Sequence, residues 1–375
     1  MTRVFGPTVY VLGAGASVHA GAPMLRDFLS AARLVSHVGS PDVLPHYEDV
    51  AAFLRYLDGL RSIAYYVDTD LDNVEEVFSL LEMGKQLGRA DCAELIRKLK
   101  WTIYETLDNY TQVRWAQGHQ LPDNTYTTFV RHLVELNKER AAMASIPGPG
   151  TIHDTVVTFN YDILLDHALH AAGTRFTYGL EGDGEGDLQL LKLHGSLNWG
   201  VCSECRGSPQ VVSPASDAWI GPARAMPGEG QQLALRMATR MLPGTKCAKC
   251  DKVDKLEPLI VPPTWSKLIE GSHLVPVWNR AVEAISMAYQ VVIIGYSMPS
   301  TDTFLRYLFS IALERNGWFN RVVVVNKDNS DGLRQRYRDV FGRSLGSRGK
   351  LQFVESAGEF VRFVLGPMLE VGRNM

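Results

Sequence analysis

The sequence predicts an α/β protein built on a Rossmann-like, doubly wound parallel sheet, with an inserted zinc module and a helical insertion. Three observations support this fold class. Short apolar runs rich in β-branched residues recur along the chain, and helical patterns separate most of them. Residues 46–145 show helical periodicity almost throughout. Four cysteines in C-x₂-C pairs then interrupt the sheet pattern.

The predicted strands are short and apolar, which is typical of strands buried on both faces of a parallel sheet. The first, TVYVL at residues 8–12, ends at Gly13, and the next segment, AGAPMLRDFLSAARLV, has a helical pattern. The later strand-like runs are DTVVTF (154–159), LQLLKL (188–193), QVVIIG (290–295) and RVVVVN (321–326). Alternation of such strands with helices predicts parallel pairing.

Composition narrows the function classes. The 375 residues carry a formal net charge of -3 without a dense stripe of Lys and Arg, so we predict no direct binding to nucleic acid. No apolar run approaches the roughly 20 residues that span a bilayer, and no targeting segment is visible. We therefore expect a cytoplasmic protein without membrane attachment, whose paired cysteines bind metal and do not form disulfides.

Breaker residues divide the chain into three predicted parts. IPGPG at 146–150 ends the long helical stretch, and a Gly/Pro-rich segment contains the cysteines. The parts are a Rossmann-like domain (1–45, 151–199 and 263–375), a helical insertion (46–150) and a zinc-binding module (200–262).

The cysteines of the zinc module are Cys202, Cys205, Cys247 and Cys250, and they follow the segment LKLHGSLNW. Four thiolates at this spacing make a closed tetrahedral zinc site, which is structural because no coordination position stays open. The fifth cysteine, Cys92, lies in a helical pattern and is predicted to be a small buried side chain.

A glycine-rich turn, Gly13-Ala14-Gly15-Ala16-Ser17, follows the first predicted strand. Such a turn lets backbone N–H groups approach phosphate oxygens without a Cβ in the way. It is not the dehydrogenase fingerprint, because Val18 stands where the third glycine is required. A purely structural strand-to-helix turn would also explain the glycines.

Polar residues follow two later strands, at the edge where ligands bind in open α/β sheets. In TFNYD, Asn160 and Asp162 could bond ribose hydroxyls and a carboxamide, although Asp162 could equally cap the next helix. His194 and Gly195 follow another strand. Histidine titrates near neutrality and suits general-base work, although a lone histidine is more often structural.

The order of these motifs resembles the sirtuin superfamily over roughly residues 8–35 and 154–330. GAGAS and the following GAPMLR are similar to the family's G-A-G-I-S and G-I-P-D-F-R, and TFNYD is similar to its T-Q-N-I-D. The His-Gly pair and the four cysteines match the family's catalytic His-Gly and zinc ligands. A later Gly-Tyr-Ser at 295–297 and Asn326 look like its G-T-S motif and strand-end Asn.

This resemblance implies that NAD is the substrate and that zinc is structural. It makes His194 and Asn160 the catalytic residues. The implied NAD-binding residues are Gly13, Ala14, Gly15, Ser17, Arg26, Asp162, Gly295, Ser297 and Asn326.

The departures from the family pattern indicate which reaction to expect. Met24 and Leu25 replace the Asp-Phe before Arg26, and Phe159 replaces the family's Gln. Where protein deacylases carry F-G-E and dock an acyl-lysine peptide as an added strand, this chain has LIVPPTWSK, whose prolines cannot donate ladder hydrogen bonds. The chain looks more like the sirtuin-like proteins of bacteria, several of which cleave NAD outright as antiphage effectors.

We therefore predict an NAD hydrolase that releases nicotinamide and ADP-ribose. One alternative is an NAD-dependent protein deacylase, which shares the cofactor and the catalytic pair. Another is a non-catalytic module that senses NAD or ADP-ribose. Because an unchecked hydrolase would drain its own cell, we expect a homo-oligomer or control by a partner protein, with the helical insertion as the regulatory surface.

Overall fold

The fold is taken from a computed structural model. The residues that it describes are 6–40, 44–61, 69–111, 113–116, 119–121, 124–143, 154–184, 186–212, 224–225, 233–235, 245–261, 272–299 and 302–355.

The helices of the described residues are α1 (Phe28–Val38), α2 (Tyr47–Arg61), α3 (Val74–Gln86), α4 (Ala90–Tyr110), α5 (Asn124–Met143), α6 (Leu164–Ala171), α7 (Val275–Ser286), α8 (Thr303–Glu314) and α9 (Asp331–Ser347). The strands are β1 (Thr8–Leu12), β2 (Val113–Ala116), β3 (His119–Leu121), β4 (Thr155–Thr158), β5 (Phe176–Thr177), β6 (Leu188–Lys192), β7 (Gly195–Cys202), β8 (Gln210–Val211), β9 (Arg224–Ala225), β10 (Leu233–Leu235), β11 (Leu256–Ile260), β12 (Gln290–Ile294), β13 (Arg321–Asn326) and β14 (Leu351–Glu355).

A seven-stranded parallel sheet forms the centre of the molecule, in the order β14-β13-β12-β1-β4-β6-β5. The predicted fold class is confirmed, and all five strands predicted from the sequence belong to this sheet. Every residue of β1, β4 and β12 is buried, as expected of strands covered on both faces. The two strands that the sequence analysis did not predict, β5 and β14, lie at the edges.

The strand order reverses between β1 and β12. From β1 the chain builds outward through β4 and β6 on one side, then returns to build β12, β13 and β14 on the other. In open α/β sheets, ligands bind in the crevice outside the carboxyl ends of the strands at such a reversal. The turns that follow β1 and β12 therefore flank the expected ligand crevice.

Two smaller sheets lie outside the central one. The antiparallel sheet β11-β7-β8 carries the cysteine segments, and it begins at Gly195, five residues before the predicted start of the zinc module. The sheet β3-β2-β10-β9 pairs strands from the predicted helical insertion with strands from the predicted zinc module. The insertion is therefore not helical throughout, and the alternation of Val113, Arg114 and Trp115 fits the strand that interrupts it.

The first helix begins later than its pattern predicted. Short 3₁₀ turns occupy 14–16, 18–20 and 25–27, and α1 starts only at Phe28. Gly21 adopts a φ of 95°, and Ala22 precedes a proline, which disfavours helical geometry for the residue before it. Both features delay the helix.

The helices of the insertion pack onto the central domain and are not a detached layer. α4 contacts α1 and β11, and α5 contacts α6. The ring of Phe129 in α5 meets Tyr10 of β1 edge-on, at 5.3 Å between centroids. Cys92 is buried within α4, as predicted. None of the helices in the described ranges combines the length and apolar character that crossing a membrane would require.

Candidate active site

The glycine turn after β1 is held against the end of β12. The N–H of Gly13 donates to Ile294 O at 2.9 Å, and the N–H of Gly15 donates to Gly295 O at 2.8 Å. A Cβ on Gly15 would lie 2.7 Å from that same Gly295 oxygen. Close packing of two chain segments, the structural explanation left open by the sequence, therefore accounts for the glycines in this structure.

Most of the turn's backbone donors are already used. The N–H groups of Ala16 and Ser17 donate within the turn, to Gly13 O and Ala14 O, in addition to the two bonds that reach β12. Ala14 is exposed at the tip. A phosphate at this turn would have to bind at Ala14 or replace one of these hydrogen bonds.

The Ser17 hydroxyl joins three side chains at the crevice. Asn160 Nδ2 donates to Ser17 Oγ at 3.0 Å and to Gly13 O at 3.0 Å. Ser17 Oγ donates to Asp162 Oδ2 at 2.8 Å and lies 2.9 Å from the hydroxyl of Tyr126. Since a hydroxyl offers one donor and two acceptor positions, these three partners saturate it.

Asp162 has two structural duties. Its Oδ2 accepts from Ser17, while its Oδ1 accepts the Leu164 N–H at 3.1 Å at the start of α6. The N-cap position itself is Ile163, so Asp162 bonds the first turn from one residue before the cap. Burial raises the pKa of Asp162, and the Lys192 ammonium and the Ser17 hydroxyl oppose this rise because both favour the ionised form.

His194 lies between β6 and β7 and is buried. Its carbonyl accepts the Val261 N–H at 2.9 Å. Its ring centroid lies 5.0 Å from that of Phe159 and 6.0 Å from that of Tyr161, and Phe159 stacks on Tyr296 at 5.0 Å. These rings form a continuous aromatic row. It runs from His194 through Phe159, the residue before Asn160, to Tyr296 in the turn after β12.

Gly195 fixes the chain direction directly after His194. Its φ is 86°, and a Cβ there would collide with the Leu259 carbonyl oxygen. We expect Gly195→Ala to lower the free energy of unfolding by about 1–3 kcal/mol more than Gly182→Ala does, because overpacking adds to the backbone strain. Gly182 is the matched control, since its φ is 82° and nothing lies within 4 Å of its Cβ position. Urea unfolding of both variants checks this, and equal losses would contradict it.

The later motif residues lie at the carboxyl ends of β12 and β13. Asn326, at the end of β13, donates to Tyr296 O at 2.9 Å, and Ser297 is exposed. Asp302 accepts the Leu305 N–H at 3.4 Å and so caps α8. Tyr296 donates its hydroxyl to the same carboxylate at 2.6 Å.

Arg26 is the predicted site residue that the structure does not bring into this cluster. It lies on a 3₁₀ turn, its side chain is 84% exposed, and it pairs with Asp27 at 3.4 Å. The opening motif alone had placed it near the ligand.

The four cysteines converge as predicted, with all four sulfur atoms within 4.8 Å of one another. Cys202 Sγ lies 3.7 Å from Cys250 Sγ, and Cys205 Sγ lies 3.7 Å from Cys247 Sγ. Tetrahedral zinc, with Zn–S bonds of about 2.3 Å, separates its ligands by about 3.8 Å, whereas a disulfide measures about 2.0 Å. The sulfur set therefore fits zinc, and four protein ligands would leave it no open position.

Both C-x₂-C segments form the same backbone turn. The residue after each pair has a left-handed φ, 45° at Arg206 and 56° at Asp251. Each donates its N–H back to the first cysteine's carbonyl, at 3.0 Å to Cys202 O and 2.9 Å to Cys247 O. In the Cys202–Cys205 turn, hydrogen bonds from backbone N–H groups lower the pKa of the Cys202 thiol, and the N–H of Cys205 has the largest effect. Such turns aim backbone donors at thiolates, as a metal site requires.

Removing the Ser17 hydroxyl is expected to destabilise the protein. Ser17→Ala would leave the buried Asp162 carboxylate without one of its donors, and we expect a loss of about 1–3 kcal/mol in the free energy of unfolding. Ser286, whose exposed hydroxyl bonds Glu283 O, is the control, with an expected change below about 0.5 kcal/mol for Ser286→Ala. Denaturant titration measures both, and an unaffected Ser17→Ala would contradict the hub role of this hydroxyl.

Two residues of the site were missed from the sequence. Tyr126 lies in α5, 109 residues from Ser17, and no local pattern connects the two. Lys192 donates to Asp162 O at 2.7 Å from the end of β6. A signal for Lys192 was present, since a lysine at the end of an apolar run predicted to be buried needs a partner.

Comparisons with known proteins find similarity only among solved structures. No protein-family model and no curated protein sequence matches the chain. A Sir2 homolog–NAD complex is 16% identical, with 98% of this chain and 89% of that chain covered and a TM-score of 0.41. A mutant Sir2 homologue with 2′-O-acetyl ADP ribose is 15% identical, with 90% of this chain and 94% of that chain covered and a TM-score of 0.39. A Sir2–p53 peptide–NAD⁺ structure is 14% identical, with 98% of this chain and 93% of that chain covered and a TM-score of 0.39. At TM-scores below 0.5, function must be inferred from the residues themselves.

Proposed function

We propose that this chain is a sirtuin-type NAD hydrolase that cleaves the nicotinamide–ribose bond and releases nicotinamide and ADP-ribose. One observation carries the proposal. Ser17, Asn160 and Asp162 form a buried hydrogen-bonded cluster at the carboxyl edge of the sheet, beside the reversal of strand order where dinucleotides bind in this architecture. The ring of His194 packs against Phe159, the residue directly before Asn160.

The proposed reaction needs few proton transfers. Nicotinamide leaves with the electron pair of the C1′–N bond and departs neutral, so no general acid is required. The transition state has oxocarbenium character, as in glycoside hydrolysis. Water forms the new bond to C1′ on the opposite face and loses one proton. The protein must therefore hold the ribose and position that water.

Asn160 and His194 are assigned to this step. Both Asn160 Nδ2 bonds point into the glycine turn, so its amide orientation is fixed and Oδ1 is free of that turn. We assign to Oδ1 the ribose and the attacking water. We assign to His194 a ribose hydroxyl or that same water, from which it would take the proton as general base.

The remaining contacts follow the order of the crevice. In this proposal Asp162 holds the nicotinamide carboxamide, and the turn after β1 holds the pyrophosphate. The adenosine half lies along the turns after β12 and β13. The residues assigned to the pyrophosphate are Gly13, Ala14, Gly15 and Ser17, of which Ala14 is exposed and the other three would exchange a present hydrogen bond for one to phosphate. Gly295, Ser297 and Asn326 are assigned to adenosine. Arg26 is left out, because its side chain is exposed and paired with Asp27.

We also propose that the helical insertion regulates the activity. Tyr126 of this insertion contacts Ser17 directly, so a movement of α5 would change the cluster. A partner or a second copy acting on the insertion would then control NAD cleavage. The cellular role that we propose is that of a bacterial antiphage effector, which depletes NAD only when released from this control.

Incubation of purified protein with NAD, with and without an acetyl-lysine peptide, tests the proposal. We expect nicotinamide and ADP-ribose in equal amounts without peptide. Turnover only with peptide, giving an O-acetylated ADP-ribose, would assign a deacylase and contradict the hydrolase. Binding of ADP-ribose without turnover of NAD would assign a sensing module.

A further inference from the structure

Lys192 is a fully buried cation directly beneath the proposed site. Its side chain is 1% exposed at the end of β6, and lysine is almost never buried to this extent without a partner. Its Nζ lies 2.7 Å from Asp162 O and 3.1 Å from Asp166 Oδ2. The ammonium therefore ties α6 to the loop that carries Asn160 and Asp162.

A chain of buried hydrogen bonds extends from this ion pair. Tyr178 donates its hydroxyl to Asp166 Oδ1 at 2.5 Å and accepts from Asn198 Nδ2 at 3.0 Å. Ser196 then donates to Asn198 Oδ1 at 2.6 Å, and the neighbouring Leu197 N–H donates to Tyr161 O at 3.0 Å. The chain starts at the carbonyl of Asp162 and returns to the loop at the carbonyl of Tyr161.

The bonds at both ends hold the same short segment. Tyr161 and Asp162 directly follow Asn160, and their carbonyls are fixed from β7 and from Lys192 respectively. The Asp162 carboxylate in turn holds Ser17, which accepts from Asn160. A shift of the Asp162 main chain would therefore be transmitted to Asn160 through both the backbone and Ser17.

The charge of Lys192 also acts on Asp162. Burial raises the pKa of Asp162, and the Lys192 ammonium is the largest influence that lowers it again. An ionised Asp162 accepts the Ser17 hydrogen, whereas a protonated one would compete to donate. The ammonium thus favours the hydrogen-bond direction seen in the cluster.

We propose that Lys192 is a positioning residue for NAD cleavage, which holds the Asn160–Asp162 loop in its reactive arrangement without touching the substrate. This inference rests on the proposed function. Its partner Asp166 keeps the buried ammonium neutralised, so stability and positioning depend on the same ion pair. The two effects can be separated, because the pair can be removed as a unit.

Two variants separate positioning from stability. Lys192→Met leaves Asp166 as an unpaired buried charge and is expected to lower both the melting temperature and the rate. Lys192→Met/Asp166→Asn removes both charges, and Asn keeps an acceptor for Tyr178, so its melting temperature is expected to recover toward wild type. Lys98→Met is the control, since Lys98 pairs with Glu94 within α4, a helix that carries none of the residues assigned to the site.

The readouts are KM for NAD and kcat normalised to the amount of folded protein. Both are measured well below the melting temperatures of the wild type and the variants. For a positioning residue, kcat falls about tenfold to a hundredfold in both the single and the double variant, with a smaller change in KM. Recovery of kcat along with stability in the double variant would overturn the inference, as would wild-type kcat in Lys192→Met. A wild-type protein that cleaves no NAD would overturn the proposed function and this inference together.

Discussion

Replacing His194 with alanine is expected to lower kcat for NAD hydrolysis by about a hundredfold or more. His194 is buried between β6 and β7, and its ring packs against Phe159 and Tyr161, the two residues that flank Asn160 in the sequence. The variant removes the group assigned to the ribose hydroxyl or the attacking water. Nicotinamide and ADP-ribose separated by chromatography give the rate.

The control for this prediction is another histidine of the same region. His170 is exposed near the end of α6, so His170→Ala is expected to keep the wild-type rate. Melting curves of both variants show whether the fold is retained. A His194→Ala protein that is folded and cleaves NAD at close to the wild-type rate would remove His194 from the mechanism.

Loss of the metal from the cysteine cluster is expected to cause the largest loss of stability. Cys247 is fully buried, and its sulfur lies 3.7 Å from that of Cys205. Without a metal, Cys247→Ser would leave the remaining sulfur atoms close together with no ion to neutralise them. Structural zinc contributes several kcal/mol or more to folding, so we expect the melting temperature to fall by about 10 °C or more.

The metal prediction has a matched control in the same chain. Cys92 is buried in α4 and lies outside the cluster, so Cys92→Ala removes a buried thiol without removing a ligand. Mass spectrometry under native conditions is expected to find one zinc ion per chain in wild type and Cys92→Ala, and none in Cys247→Ser. Wild-type protein without zinc, or an unchanged melting temperature in Cys247→Ser, would contradict the prediction.

The central strands could be predicted because their sequences are determined by burial alone. β1, β4 and β12 are covered on both faces, so each is a continuous apolar run. The edge strands carry weaker signals. β5 has only two residues, and β14 is mostly half-buried or exposed, so its apolar residues do not form a run.

The sequence motifs of the site could be predicted, but the hydrogen bonds between their residues could not. Asn160, Asp162 and Ser17 were singled out by position after strands, but their mutual hydrogen bonds depend on how β1 and β4 pair. The glycine turn shows the same limit. The sequence alone cannot distinguish glycines that let a phosphate approach the backbone from glycines that let two chain segments pack closely. The structure shows close packing, because Gly15 lies against Gly295.

Tyr126 shows why the helical insertion could not be assigned from the sequence. The sequence pattern of α5 is that of an ordinary amphipathic helix. The contact of the Tyr126 hydroxyl with Ser17 arises only when α5 packs on α6. Long-range contacts of this kind depend on tertiary packing and leave no periodicity in the chain.

Cleavage of NAD in water enriched in ¹⁸O tests the central claim most directly. Purified wild-type protein is incubated with NAD alone, and the products are analysed by mass spectrometry. The proposed mechanism predicts equal amounts of nicotinamide and ADP-ribose, with one ¹⁸O atom in the ADP-ribose from the attacking water. Products that form only when an acyl-lysine peptide is added, or NAD that is bound and returned intact, would contradict it.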